Sequence, residues 1–116
     1  MELSIFLTKL RTAPETVSFN HTIDTIQSNF DYIPTAFRNG EISNAAGQNE
    51  GSCKVFSFAK IHALSEQETL YCFGDFYRED VLKNPQGSDH GNIRNFIRHG
   101  WSGIEFESAA LTPKQI

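Results

Sequence analysis

The chain has 116 residues, a hydrophobic fraction of 39%, ten phenylalanines, and 14 acidic against 10 basic residues for a net charge of -4. That is the size of one domain, residues 1–116, able to bury a core without disulfides or metal. The acidic balance argues against a nucleic-acid partner, and no apolar run is long enough to cross a membrane as a helix.

The start, Met1-Glu2-Leu3-Ser4, lacks the basic region and apolar stretch of a secretory signal. Two cysteines, Cys53 and Cys72, are too few for a disulfide scaffold. Both read as free thiols in a reducing cytosol.

In chain order, Leu3, Phe6, Leu7 and Leu10 fall at i, i+3, i+4 and i+7, one face of a short helix that Pro14 closes. A second helix is expected from about Glu15 to Asn29, turning Val17, Phe19, Ile23, Ile26 and Phe30 inward. Tyr32 to Phe37 is aromatic and β-branched, and Asn39-Gly40 follows as a turn. It reads as an extended segment, although Pro34 disfavours a central strand. Ser43 to Gly51 is small and polar and reads as the longest loop.

Ser52 is the expected N-cap of a third helix carrying Val55, Phe56, Phe58, Ala59 and Ile61. That helix is apolar nearly all round, which places it at the centre of the core. Ser65 with Glu68 fits a capping box for a fourth helix, on which Leu70, Phe73, Tyr77 and Val81 follow helical spacing. Ser88 or Asp89 caps a fifth helix with Ile93, Phe96 and Ile97 inward, ended by Gly100. Residues Gly103 to Glu107 alternate like an edge strand that could pair with the earlier extended segment. The expectation is an α+β, mainly helical single domain of about five helices with a minimal two-stranded β element.

Four segments carry a family resemblance: Pro34-Thr35-Ala36-Phe37-Arg38-Asn39-Gly40, Asn49-Glu50-Gly51-Ser52-Cys53-Lys54, Cys72-Phe73-Gly74-Asp75-Phe76-Tyr77-Arg78, and Asp89 to Phe96 continuing through Gly100-Trp101-Ser102-Gly103-Ile104. In that order they span nearly the whole chain, which resembles the HopJ family. The resemblance implies a type III effector, a bacterial protein injected into host cells. It carries over no reaction, cofactor or catalytic residue. Residues 1–30 are rich in Ser and Thr with Glu2, Glu15 and Asp24 as their acids, as delivery leaders often are. The same residues carry two helical core faces, so an ordinary cytoplasmic protein is the competing reading.

Three arrangements bear on chemistry. Cys53 lies in the first turn of a helix, where the dipole and free N–H groups favour a thiolate. His90 or His99 would serve as its base, Asn92 or Asn95 would orient that base, and Gln48 would donate to an oxyanion. The catalytic set is therefore Cys53, His90 and Asn95, for a cysteine-dependent hydrolase or transferase. The competing reading is a buried structural thiol.

His90, Arg94 and Arg98, spaced by four, form one polar helix face. With Lys54 nearby, that face suits a small anionic ligand, or else it simply meets water. The expected ligand-binding set is Gln48, Asn49, Glu50, Lys54, His90, Arg94 and Trp101. Asp75, Glu79 and Asp80 offer acid–base groups or a cation site, or an exposed acidic side. Cys53, Cys72, His90 and His99 have ligand chemistry but no metal spacing, so no metal and no cofactor is expected. The leading functional expectation is a small binding or interaction module, with a host or bacterial protein or a small anion as partner.

Overall fold

The computed structural model describes residues 2–114. It has the expected α+β, mainly helical organisation, with five α-helices among the described residues. Helix α1, Leu3–Thr12, buries Phe6 and Leu10. A 3₁₀ turn at Pro14–Thr16 follows.

Helix α2 runs Phe19–Asn29, four residues shorter at its start than the periodicity suggests. Ser18 is the reason. Its backbone is extended and its hydroxyl accepts from His21 N, so the helix begins there. The buried face of α2 is Thr22, Thr25 and Ile26, while Phe19 and Ile23 are half-buried. Thr22 is satisfied in the core by donating Oγ1 to Cys72 O at 2.7 Å.

Two small antiparallel sheets replace the single two-stranded element. Strand β1, Phe30–Tyr32, pairs with β5, Leu111–Pro113. Strand β2, Phe37–Asn39, is the centre of a three-stranded sheet between β3, Ile42–Asn44, and β4, Ile104–Phe106. Strand β4 is the edge expected, but it pairs only with the end of the expected extended segment and with Asn39, read as a turn residue; residues 33–36 are coil and Tyr32 pairs with β5 instead. Pro34 lies in the coil before β2, so its missing donor costs the ladder nothing. Gly40, at φ +60°, opens the two-residue turn from β2 into β3.

Helix α3, Glu50–Ile61, is the central helix, with Cys53, Val55, Phe56, Phe58 and Ala59 buried. The Phe56 ring meets Phe37, Phe73 and Phe96 at centroid distances of 6.1, 5.4 and 5.0 Å. Its N-cap is Asn49, not Ser52. Helix α4, Glu66–Tyr71, carries the capping box of Ser65 and Glu68 in full.

Leu70, Phe73, Tyr77 and Val81 are all buried, but Leu70 belongs to α4, Phe73 lies in the turn after it, and Tyr77 and Val81 belong to the next element. Gly74 at φ +60° ends the helical run, and a π-helical turn, Phe76–Val81, continues it. A Cβ on Gly74 would lie 2.5 Å from the Phe19 backbone nitrogen, so the backbones approach there as closely as glycine permits.

Helix α5, Gly91–His99, buries Ile93 and Phe96 but leaves Ile97 49% exposed. Asn92 and Asn95 occupy the rest of its buried face. Its N-cap is His90, with neither Ser88 nor Asp89 capping it, and Gly100 at φ +64° ends it. No helix among the described residues is long and apolar enough to cross a membrane.

Candidate functional site

Helices α3 and α5 begin in the same unusual way. Asn49 and His90, their N-cap residues, both sit in the left-handed region, with φ 51° in each. Neither gives its helix a side-chain cap. The first helical bonds are Cys53 N to Asn49 O at 3.0 Å and Arg94 N to His90 O at 3.1 Å. The N–H groups of the turns before them have no intrahelical acceptor.

Both helix starts line one cavity of about 190 Å³. Asn49, Gly51, Ser52, His90 and Asn92 form its polar side, and Phe19, Phe73 and Phe76 its aromatic side. Phe76 connects the two, packing on Phe19 at 5.0 Å and on the His90 imidazole at 5.1 Å.

Behind the cavity runs a chain of asparagines, buried at Asn39, Asn44, Asn92 and Asn95 and exposed at Asn49. Asn49 Nδ2 donates to Asn44 Oδ1 at 2.7 Å. Asn39 Nδ2 donates to Asn92 O and Oδ1, at 2.8 and 3.0 Å. Asn95 Nδ2 donates to Asn39 O at 2.8 Å and to Glu41 Oε2 at 3.2 Å. Glu41 then meets His99 Nε2 at 2.9 Å. These amides tie β2, β3 and the starts of α3 and α5 to one another, which fixes the geometry of the cavity.

The cysteine arrangement is not assembled. Cys53 is 1% exposed, and its thiol donates to Thr35 O at 3.5 Å. Burial pushes its pKa up, with a Thr35 backbone hydrogen bond and the Tyr32 and Ser57 hydroxyls opposing. Desolvation therefore outweighs the helix dipole that would have activated it. His90 Nε2 is bonded to Asp80 Oδ2 at 2.9 Å, His99 to Glu41, and Asn95 to Asn39 and Glu41. None of the three makes a hydrogen bond to Cys53. Cys72 is fully buried, and burial pushes its pKa up to about 12.

Of the expected ligand-binding set, Asn49 and His90 line the cavity. Gln48 Oε1 accepts from Ala45 N and closes a turn. Glu50 is exposed in the first turn of α3. Lys54 lies over the Tyr32 ring, 4.7 Å from its centroid. Arg94 holds the loop before α5, donating to Asp89 O, Asp89 Oδ1 and Asn84 O. Trp101 donates Nε1 to Leu64 O and packs edge-on to Phe96, so it closes the core.

Phe19, Phe73 and Phe76 belong to the cavity but not to the expected set. So does the role of Asn39 and Asn44 behind it. The available signal was Asn39, Asn44 and Asn49 at every fifth position, with Asn92 and Asn95 each preceding an apolar residue of α5.

The chain matches the family described as "HopJ type III effector protein" over residues 3–111. It is similar to a solved structure described as "Crystal structure of unknown function protein VPA0580", at 52% identity and a TM-score of 0.97, covering 98% of this chain and 95% of that one. No curated protein matches it. With the family pattern running through both helix starts and the sheet behind them, this chain belongs to the HopJ type III effector protein family.

Proposed function

We propose that this HopJ protein is a small binding module whose cavity between the starts of α3 and α5 takes a small anion, a carboxylate or phosphate. The observation that carries this reading is the convergence of two helix N-termini without side-chain caps on one cavity. Unpaired N–H groups and the positive ends of two helix dipoles favour negative charge there. The cavity is smaller than the roughly 300 Å³ at which drug-sized pockets begin, so the ligand is correspondingly small. The rings of Phe19, Phe73 and Phe76 suit a planar or apolar remainder.

The test is thermal unfolding at constant ionic strength with inorganic phosphate, acetate or benzoate in place of chloride. A ligand that binds the native state raises its stability, by about 2.7 kcal/mol at one hundred times its Kd. Ser52→Glu places a tethered carboxylate at the helix start and is expected to abolish the response. No shift with any anion, or an equal shift in Ser52→Glu, removes the reading.

The cysteine-centred alternative has less support, because the thiol is buried and has no imidazole partner. The family description supports a further element of the proposal, that the protein is made in a bacterial cytoplasm and delivered into a host cell. Retention of a reporter fused to residues 1–30 inside a bacterium with an active type III apparatus would remove that element.

A further inference from the structure

We infer that Asp80, Asp89 and His90 form a binding site for a divalent first-row transition-metal ion at the rim of the cavity. His90 Nε2 lies 2.9 Å from Asp80 Oδ2 and 3.9 Å from Asp89 Oδ2. One donor atom from each residue lies within 4.8 Å of the others. Metal–ligand bonds of about 2.0–2.2 Å place neighbouring ligand atoms roughly 3–3.5 Å apart, so small side-chain movements would close the set.

Nε2 carries at most one hydrogen and bonds Asp80, while Asp89 Oδ2 faces the same nitrogen at 3.9 Å without bonding it. Arg94 holds Asp89 by Oδ1, at 2.6 Å, and leaves Oδ2 facing the imidazole. Ligating carboxylates are commonly held through their other oxygen in this manner. His90 is further oriented by its ring contact with Phe76.

The start of α5 and the Arg94 guanidinium oppose a cation here, by about half a charge and one charge respectively, against two full carboxylate charges. One imidazole nitrogen with two carboxylate oxygens favours zinc most; manganese is a harder ion that tolerates the same set more weakly, and magnesium and calcium prefer oxygen alone. His90 also lines the cavity, whereas Asp80 and Asp89 do not, so the site adjoins the cavity through His90 alone. The ion would also reverse the repulsion that Asp80 and Asp89 exert on an incoming anion. The metal site does not depend on the anion reading.

The experiment is calorimetric titration of chelator-treated protein with MnCl₂ and with ZnCl₂ in phosphate-free, near-neutral buffer. Binding of one ion per chain is expected, with magnesium much weaker. His90→Asn, which keeps a residue tolerant of left-handed backbone, and Asp80→Asn should each weaken binding by about tenfold or more. His99→Ala should leave it unchanged. Circular dichroism confirms that each variant is folded. No binding of either ion to the wild type, or equal affinity in His90→Asn and Asp80→Asn, overturns the inference. Phosphate stabilisation without metal binding would sink this site and leave the anion reading standing.

Discussion

Asn44 and Asn92 donate to each other. Asn92 Nδ2 reaches Asn44 Oδ1 at 3.0 Å, and Asn44 Nδ2 reaches Asn92 Oδ1 at 3.2 Å. This reciprocal amide pair joins the end of β3 to the first turn of α5 from within the core, both side chains being buried.

Removing one partner leaves the other unpaired out of water, at about 1–3 kcal/mol for each stranded group. Asn92→Leu removes both bonds of the Asn44 pair and leaves Asn44 Nδ2 only a long contact to Phe37 O, while Asn39 Nδ2 keeps the Asn92 backbone carbonyl. It should cost about 3 kcal/mol in urea unfolding. Asn92→Asp keeps the shape but turns an acceptor toward Asn44 Oδ1, so it should also destabilise clearly. A loss below about 1 kcal/mol for both would show that the pair does not hold the cavity together.

Cys53 is expected to be inert in the native protein. Its thiol is buried, donates to Thr35 O, and has its pKa raised chiefly by that burial. Iodoacetamide labelling read by mass should modify it only after denaturant is added. Fast labelling of folded protein at neutral pH would return the hydrolase reading to contention.

Stability should fall with acid in a particular order. Burial lowers the pKa of His62, whose ring packs on Phe58 and Phe30. The folded state resists protonation that the unfolded chain accepts, so the contribution is present above the unfolded value of about 6.5 and fades as pH drops below it. Asp89, lowered first by its bond from Arg94, and Glu41, lowered first by its own backbone N–H, lose their contributions further down, as pH falls through their folded values. Urea midpoints at two pH values either side of the unfolded histidine pKa should differ in the wild type and differ less in His62→Phe. Equal pH dependence in the two proteins would contradict the assignment.

Two glycines with positive φ separate conformational strain from steric conflict. Gly47, at φ +87°, has nothing within 4 Å of an added Cβ. Gly47→Ala should therefore cost only the backbone preference, about 1 kcal/mol. At Gly74 the new Cβ meets backbone at 2.5 Å. Gly74→Ala should cost at least about 3 kcal/mol, because the start of α2 has to move. Comparable melting temperatures for the two variants would count against the tight contact between α2 and the turn after α4.

The helical core was legible because its signal is local. Phe6 and Leu10, the apolar residues of α3, the capping box at Ser65 and the glycine stop at Gly100 follow from periodicity and backbone preference. Strands β3 and β5 were not, since β3 runs into the polar stretch that begins at Ser43 and β5 ends on Pro113, so neither shows the alternation that β4 does. Ile97 looked inward because it is apolar, but asparagines at 92 and 95 had taken the buried face it would need. The site was partly legible for the same reason. His90 stood out as a polar residue at a helix start and Asn49 as part of the polar loop before one, whereas Phe19 reaches the cavity from a distant helix. Cys53 misled because its position near a helix start suggests activation, while its burial depends on tertiary packing.

The pairing of β1 with β5 matches Phe30 to Pro113 and Tyr32 to Leu111, and Lys114 N donates to Asn29 O beside it. These are among the most distant contacts in the chain, and closing so long a loop delays their formation during folding. On a ribosome, the strand that leaves α2 waits without its partner until the segment around Leu111 has emerged. Until then Phe30, which is almost fully covered in the native state, lacks that partner strand. Truncation just before Leu111 would therefore act as a folding defect felt at the middle of the sequence.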